Sequence, residues 1–538
     1  VVQRANFFPM KRAELLESLT RHGVYDLAVV GGGATGLGVA LDAALRGFSV
    51  VLLESHDFAG GTSSRSTKLL HGGVRYLAQG NLSLVREALA ERATVLRIAP
   101  HLAQPLPFVM PSYRWWQTPF YGLGLKLYDL LAGAAGLGRT EFLSRAEALQ
   151  ALPGVNPEGL RGGVKYWDGQ FDDARLALAL ARSAEAAGAR VLNYAEVTAV
   201  NQLSAGAHPL SSLQVTDRRS GASLTLQARC VVNATGVWVD ALRDHTQPAA
   251  SQGMPSRMVS PSQGVHVVVD REFMPGGHAL LVPKTRDGRV LFAVPWLGKL
   301  VLGTTDTPRR DLPREPDAFA EELDFILSEA SQALSRPVRR EDIRSLWVGL
   351  RPLVAAPEAA EGGTKVLSRE HTILVDPNGL VTVTGGKWTT YRAMAEDVLE
   401  RCFDHQLLPR RSGGQSAHHV LMGAAAVSSP VVPLHAAPGP HLYGTEQAAV
   451  AACPGQAVML GAGLTEAMVR YAARFEHAQT VEDVLARRWR VIFLDAAEAA
   501  RMAPLVAAIL VEELGADPEL AAFQALCARY LPASTNTG

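Results

Sequence analysis

Residues 25 to 55 read YDLAVVGGGATGLGVALDAALRGFSVVLLES, and this stretch limits the fold more closely than any other. The apolar run Leu27 to Val30 predicts a strand, Gly31-x-Gly33-x-x-Gly36 a tight turn, the next segment a helix, and Val50 to Leu53 a second strand ending at Glu54. The glycines permit a sharp turn and a close backbone approach to a pyrophosphate at the positive end of the helix. Glu54, 18 residues after Gly36, can accept hydrogen bonds from a ribose hydroxyl. Because strand, helix, second strand and terminal acid stand in order, a dinucleotide site outweighs a chance glycine-rich turn. NAD and FAD share this βαβ unit, so it predicts the ligand class without choosing the member.

Two distant segments repeat the pattern of a strand running into small residues. ARCVVNATGVWVDAL, 228 to 242, reaches Ala234-Thr235-Gly236 with a helix start after it, and GLVTVTGGKWTTYRAMAEDVLE, 379 to 400, turns at Gly385-Gly386. A helix opening at that glycine pair would aim its N-terminal amides at a group able to hold negative charge, as the pyrimidine end of a reduced flavin does. Between them, 262 to 270, 277 to 307 and 345 to 354 are strand-rich, with Asp287-Gly288 as the clearest hairpin turn. This reads as a mostly antiparallel sheet inserted into the nucleotide domain. After about residue 400 and the polar linker QLLPRRSGGQSAHH, Ala, Leu, Glu and Arg dominate at helical spacing, which predicts a separate helical domain.

At 538 residues, two or three domains are expected. Lys plus Arg and Asp plus Glu are both 52, so no global field recruits nucleic acid or anionic lipid. The four cysteines form no CxxC pair, which disfavours a structural zinc site or a disulfide framework and suits a reducing cytoplasm; no metal site is read. The first residues, VVQRANFFPMKRAELLESL, have no apolar core of signal-peptide length, so no secretion signal is expected, and the missing initiating Met is read as a processed or incomplete start. In RWWQTPFYGLGLKLYDLLAGAAGLG, 114 to 138, Lys126, Asp129 and several glycines argue against a membrane span. Trp115, Trp116, Phe120 and Tyr121 there suit either a bilayer interface or, somewhat better, packing between domains. In STKLLHGGVRYL, 66 to 77, Lys68, His71 and Arg75 surround a glycine pair that opposes a helix, so a loop with a solvated cationic face is the plain reading.

The segments DLAVVGGGATGLGVALDAALRG, GTSSRSTKLLHGGVRYL, VVNATGVWVD, LGTTDT, VGLRPL and VTGGKWTTYR occur in one order over residues 24 to 400. In this the chain resembles the FAD-dependent, quinone-linked glycerol-3-phosphate dehydrogenases, relatives of the glycerol-3-phosphate oxidases. VEDVLARRWRVIFLD, 481 to 495, resembles the start of that family's C-terminal helical domain. The resemblance implies an α/β fold with a Rossmann-like FAD-binding domain over 24–105, 160–255 and 340–400. An inserted, mostly antiparallel substrate domain would occupy 106–159 and 256–339, and a C-terminal α-helical domain 401–538. An N-terminal extension, 1–23, carries no role.

The resemblance also assigns residues. FAD would meet Gly31, Gly33, Ala34, Thr35, Gly36, Glu54, Thr62, Ser63, Ser66, Thr67, Lys68, Ala234, Thr235, Gly236, Gly385 and Gly386. His71, His266, Arg351 and Lys387 would serve the reaction, and Arg75, Tyr76 and Arg369 would bind the substrate, Arg supplying a fork suited to phosphate. Gly72-Gly73 would let the backbone pass the flavin ring while His71 and Arg75 face the substrate. The implied reaction oxidises sn-glycerol 3-phosphate to dihydroxyacetone phosphate: a hydride leaves C2 for FAD, and His266 or His71 takes the hydroxyl proton. Without the resemblance, His266 in its strand reads as a core residue, and Arg351 and Arg369 as surface ion pairs. No second redox motif appears, so electrons would leave directly to a diffusible acceptor; the resemblance implies that this is a membrane quinone, reached from the cytoplasmic side of a membrane bound peripherally. The alternative is an oxidase that uses oxygen and releases hydrogen peroxide; those relatives carry a sizeable insertion that this chain lacks. A non-catalytic flavin-binding module is disfavoured by the complete His and Arg set. Partners would be glycerol 3-phosphate, the quinone and the inner face of the cytoplasmic membrane; a homodimer stays open and nucleic acid is not expected.

Overall fold

Leu27, Ala28, Val29 and Val30 close the first strand, Val24–Val30, and all four are buried. An apolar run buried on both faces belongs in a parallel sheet covered by helices. In the computed structural model, which describes residues 11–73, 81–204, 209–246, 257–355, 371–425 and 431–532, this strand is central. It pairs in parallel with Val50–Leu53 on one side and Ser223–Asn233 on the other, and Leu380–Gly385 joins beyond Ser223–Asn233, again in parallel. Arg190–Leu192 pairs in parallel outside Val50–Leu53, while antiparallel strands complete the eight-stranded sheet. Helices Ala34–Leu45, Asp173–Ala186 and Tyr391–Asp404 pack together over one face.

The second sheet has ten strands, and its pairings are antiparallel except that Ala279–Val282 runs parallel to Ala103–Ser112. Its membership differs from the boundaries expected above. Gly162–Phe171 pairs with Ala103–Ser112 and so lies in the inserted sheet, outside the implied 160–255 boundary; Ser345–Arg351 pairs with Ser262–Asp270, as the strand-rich reading of 345 to 354 expects and the implied 340–400 boundary does not. Leu69–Leu70 also joins this sheet, directly after the loop that leaves the first one. A strand's sheet is decided by the edge it can pair with, and adjacency in sequence does not reveal that edge.

Alternation along Ser262–Asp270 divides two cores. Val265, Val267 and Val269 face helix Ala320–Ala333, while Val268 shares a core with Trp296, Trp347 and the C-terminal residues Trp489 and Phe493. The helices Glu466–Phe475, Ala496–Leu514 and Leu520–Arg529 therefore cover the second sheet, in accord with the helical reading of the C-terminal segment.

This domain also grips the nucleotide domain. A π-helical turn, Asp483–Arg488, delivers Arg487 and Arg488 to the fully buried carboxylate of Asp57, which also accepts a hydrogen bond from Asn193 Nδ2 at 3.1 Å. Removing one partner of such a buried group leaves charge uncompensated, which costs about 3–5 kcal/mol. Asp57→Ala is therefore expected to lower unfolding stability by about that amount in a urea titration. An unchanged midpoint would show that the clasp contributes nothing. The guanidiniums hold the Asp57 carboxyl below its ordinary 3.8, so its contribution is present above that pH and is lost as pH falls below it.

Candidate active site

The turn between the first strand and its helix tolerates no side chains where they would matter. Gly31 has φ +112°, and a Cβ there would lie 2.5 Å from the Ala234 carbonyl oxygen. A Cβ on Gly36 would stand 2.0 Å from the Gly31 carbonyl oxygen. Gly36 thus lets the helix pack on its own turn and does not reach the cavity, contrary to its expected cofactor contact. Ala34 N–H donates to Ser63 Oγ at 3.0 Å, and Glu54 accepts from the N–H groups of Gly32 at 2.7 Å and His56 at 2.9 Å. Held by two amides, the Glu54 carboxylate keeps lone pairs for further donors such as ribose hydroxyls.

A cavity of about 1810 Å³ starts at this turn and takes in Thr62, Ser63, Ser66, Thr67, Ala234, Thr235 and Gly236. It continues to Gly385, Gly386 and Lys387 and includes His71, His266 and Arg351. Gly236 has φ +67°, and nothing lies within 4 Å of a Cβ built there. Gly386 has φ +73°, and a Cβ would lie 2.4 Å from Met394 Sδ. The helix after this pair begins as the 3-10 turn Trp388–Thr390, two residues later than the glycines themselves suggest. Helix N-terminus, ordered carboxylate and glycine-bounded walls together fit an extended dinucleotide.

Each candidate reaction residue lies on the cavity wall. His266 stands opposite Trp347 in register, stacks on its ring at 4.1 Å, and pairs through Nε2 with Thr67 Oγ1 at 3.0 Å. Burial, together with the cations of Lys68 and Arg351, pushes its pKa well below 6.5, so it stays neutral. Its Nδ1 is buried without a hydrogen-bond partner among the described residues, so the core reading accounts for only one of its two nitrogens. Arg351 ends its strand with Nη1 on the Gln263 carbonyl at 3.1 Å and Asp306 at 3.2 Å, and Nη2 on the Thr305 carbonyl at 2.8 Å. A Cβ on Gly264 would lie 2.3 Å from Arg351 Nη2, so that glycine makes room for the guanidinium. The His71 backbone N–H donates to Thr389 Oγ1 at 3.2 Å.

Lys68 departs from expectation. Its ammonium is fully buried away from the cavity, 2.8 Å from Asp173 Oδ2 and 2.8 Å from the Ser64 carbonyl, over the rings of Trp296, Trp347 and Phe493. Burial lowers its pKa to about 7. Asp173, which sequence reasoning missed, also accepts from Ser66 N–H at 3.1 Å and Ser66 Oγ at 2.7 Å, and Arg490 reaches it from the C-terminal domain at 3.0 Å. The acid-rich DGQFDD stretch between a strand and a helix was the available signal. Asp168 of that stretch lines the cavity and accepts from Tyr128 Oη at 3.0 Å, which in turn accepts the Gly72 N–H at 2.9 Å. Arg75, Tyr76 and Arg369 lie outside the described residues.

The same cavity has an apolar wall. Phe108, Met110, Phe120, Tyr121, Leu123 and Leu127 line it, the last four from helix Gln117–Ala132. The outer side of that helix is not packed on another domain: Trp115 is 78% exposed, Phe120 67%, Leu123 75% and Leu130 76%. Packing between domains, the reading somewhat favoured from sequence, does not account for Trp115 or Phe120, whereas Tyr121 is half-buried against the core that the second sheet shares with the C-terminal helices.

Comparison with known proteins bears on this architecture. The FAD dependent oxidoreductase family model matches residues 26–401, and the model for the C-terminal domain of alpha-glycerophosphate oxidase matches 435–521. The chain is 38% identical to the mitochondrial glycerol-3-phosphate dehydrogenase of Macaca fascicularis, over 95% of this chain and 73% of that protein. Against a mitochondrial glycerol-3-phosphate dehydrogenase of Arabidopsis thaliana it is 39% identical, over 91% of this chain and 82% of the other. The X-ray structure of the Bacillus halodurans glycerol-3-phosphate dehydrogenase complexed with FAD superposes with a TM-score of 0.76 at 28% identity, covering 98% of this chain and 99% of that one. With the glycine turn, the ordered Glu54 and the continuous cavity in place, the chain belongs to the FAD-dependent glycerol-3-phosphate dehydrogenase family, and FAD is its cofactor.

Proposed function

We propose that this protein oxidises sn-glycerol 3-phosphate to dihydroxyacetone phosphate and delivers the electrons to a membrane quinone, from the inner face of the cytoplasmic membrane. One observation carries the reading: a single cavity joins a wall bearing His71, His266, Arg351 and Lys387 to a wall formed by an exposed apolar helix. Bound FAD supplies a two-electron acceptor for the hydride leaving C2 of the alcohol. The remaining tasks fall to the chain. Arg351 and Lys387 present cations to an anionic substrate, and the buried, neutral His266 or His71, which lines the same cavity, accepts the hydroxyl proton. Because His266 is uncharged well below pH 6.5, it needs no deprotonation to act as a base at neutral pH.

The acceptor is argued from the helix Gln117–Ala132. Trp116, Phe120, Leu123, Leu127 and Leu130 recur every three or four residues and are all exposed, forming one apolar stripe, with Phe142, 46% exposed, beside Lys126. Among the described residues no helix is long and apolar enough to cross a membrane. A stripe of this kind suits a helix lying in the bilayer interface. Phe120, Leu123 and Leu127 of the stripe also line the cavity, so an acceptor dissolved in the bilayer would reach the site along that wall.

Anaerobic glycerol 3-phosphate should bleach the flavin absorbance of the purified protein. Persistence of the oxidised spectrum would overturn the substrate assignment, and stoichiometric peroxide in air without quinone reduction would replace the dehydrogenase with an oxidase. Arg351→Ala is expected to weaken the phosphorylated substrate by roughly ten- to a hundredfold, and glycerol much less, because a charge-assisted bond is worth about 1.5–3 kcal/mol. Equal losses would remove Arg351 from phosphate recognition. Phe120→Ser combined with Leu123→Ser should reduce liposome binding and quinone reduction about tenfold or more while a soluble dye is still reduced, since each exposed apolar side chain buried in lipid contributes about 1.5–3 kcal/mol. Unchanged liposome binding would move the membrane contact elsewhere.

A further inference from the structure

We infer that Arg314, in the loop between residues 309 and 319, binds the FAD diphosphate from the side opposite the glycine turn. The inference rests on FAD as the cofactor. Arg314 lines the cavity together with Glu54, His56, Gly60, Gly61 and Trp238. A Cβ on Gly60 would lie 3.4 Å from Arg314 Nη2, and the guanidinium carbon sits 5.5 Å from the centroid of the Trp238 ring. Trp238 follows Gly236, packs over Gly61, and donates from Nε1 to the Leu312 carbonyl at 3.0 Å. Arg314 thus stands where the 59–61 and 236–238 segments meet at the cofactor cavity.

The loop is held so that this side chain cannot drift. Arg65 Nη1 donates to the Arg314 carbonyl at 3.1 Å and pairs with Glu315. Tyr530 Oη donates to Glu315 at 3.2 Å, and Arg529 donates to the Glu315 carbonyl at 2.7 Å and to Asp317 at 2.9 Å. Arg314 itself makes no ion pair or side-chain hydrogen bond among the described residues, although its neighbours on both sides of the loop do. Burial depresses its pKa, with Glu54 the largest opposing influence. A second sign of surplus positive charge is His56, pushed down to about 3 by burial and by Arg314, Arg218 and Arg487. A partly buried guanidinium that no ion pair or hydrogen bond takes up is stabilised by an anion in the cavity it lines. A diphosphate matches its fork and its charge.

The test follows FAD release from the holoenzyme by the rise in flavin fluorescence on dilution, with ADP as competitor during rebinding. Arg314→Gln should release FAD about ten- to a hundredfold faster than wild type, and ADP should lose its competing effect. Arg314→Lys, which keeps the charge, should stay within about threefold of wild type. Unchanged release from Arg314→Gln would overturn the assignment. Faster release with ADP competition intact would also overturn it, by placing the contact away from the diphosphate. Wild-type protein that purifies without flavin and fails to bind FAD would instead refute the cofactor on which the inference rests.

Discussion

The carboxylate of Asp173 is the constraint on which the site depends. It is fully buried at the start of helix Asp173–Ala186, and it accepts hydrogen bonds from Ser66, Lys68 and Arg490. Lys68 and Arg490 share this solvent-free pocket with Asp173 and with Asp172, which lies 3.6 Å from Arg490 Nε, and buried charges are tolerable there only because they are paired. That demand fixes the 64–68 loop, and with it Thr67, whose hydroxyl meets His266. Arg490 adopts φ 66° and also donates to the Ser64 carbonyl at 2.7 Å, so the C-terminal domain helps shape a loop more than 400 residues away. This domain is therefore part of the site's support, although none of its described residues lines the cavity.

The cavity is organised by contrast between its walls. Glycines at 31, 236, 385 and 386 bring bare backbone to it where the first sheet ends, and the second sheet contributes His266 and Arg351 from the paired strands Ser262–Asp270 and Ser345–Arg351. The helix 117–132 adds the apolar wall and shows the same residue types outward. The proposed place of Arg314 extends this logic to the other end of the cofactor, where a loop anchored on the last helix meets the nucleotide domain.

Much of this was legible in the residues. The run from Leu27 to Glu54 declares its strand, turn, helix and acid within 28 positions, because each step is a local matter of periodicity and backbone freedom. Gly236 and Gly386 are likewise explained by positive φ at strand ends. Lys68 was misplaced because its sequence neighbours are cofactor-loop residues, whereas its ammonium answers to Asp173, Trp347 and Phe493, which are remote in sequence. Strand 162–171 falls outside the domain boundary drawn for it for a related reason: alternation shows that it is a strand but does not name its partner, whereas 345–351 pairs with 262–270 as its strand-rich surroundings suggest.

By itself, the sequence determined a dinucleotide-binding βαβ unit, an antiparallel insertion, a helical C-terminal segment and the glycine turns that meet a flat, anionic ligand. These follow from local chemistry, the absence of a side chain or the period of apolar residues. It took the folded molecule to show that Gly36 serves packing, that Asp173 and Arg490 form the hub beneath the loop, that the apolar stripe of helix 117–132 is exposed, and that Arg314 lines the cavity with no ion pair among the described residues. Burial and charge pairing are sums over neighbours brought together from distant parts of the chain, so they exist only once the chain has folded.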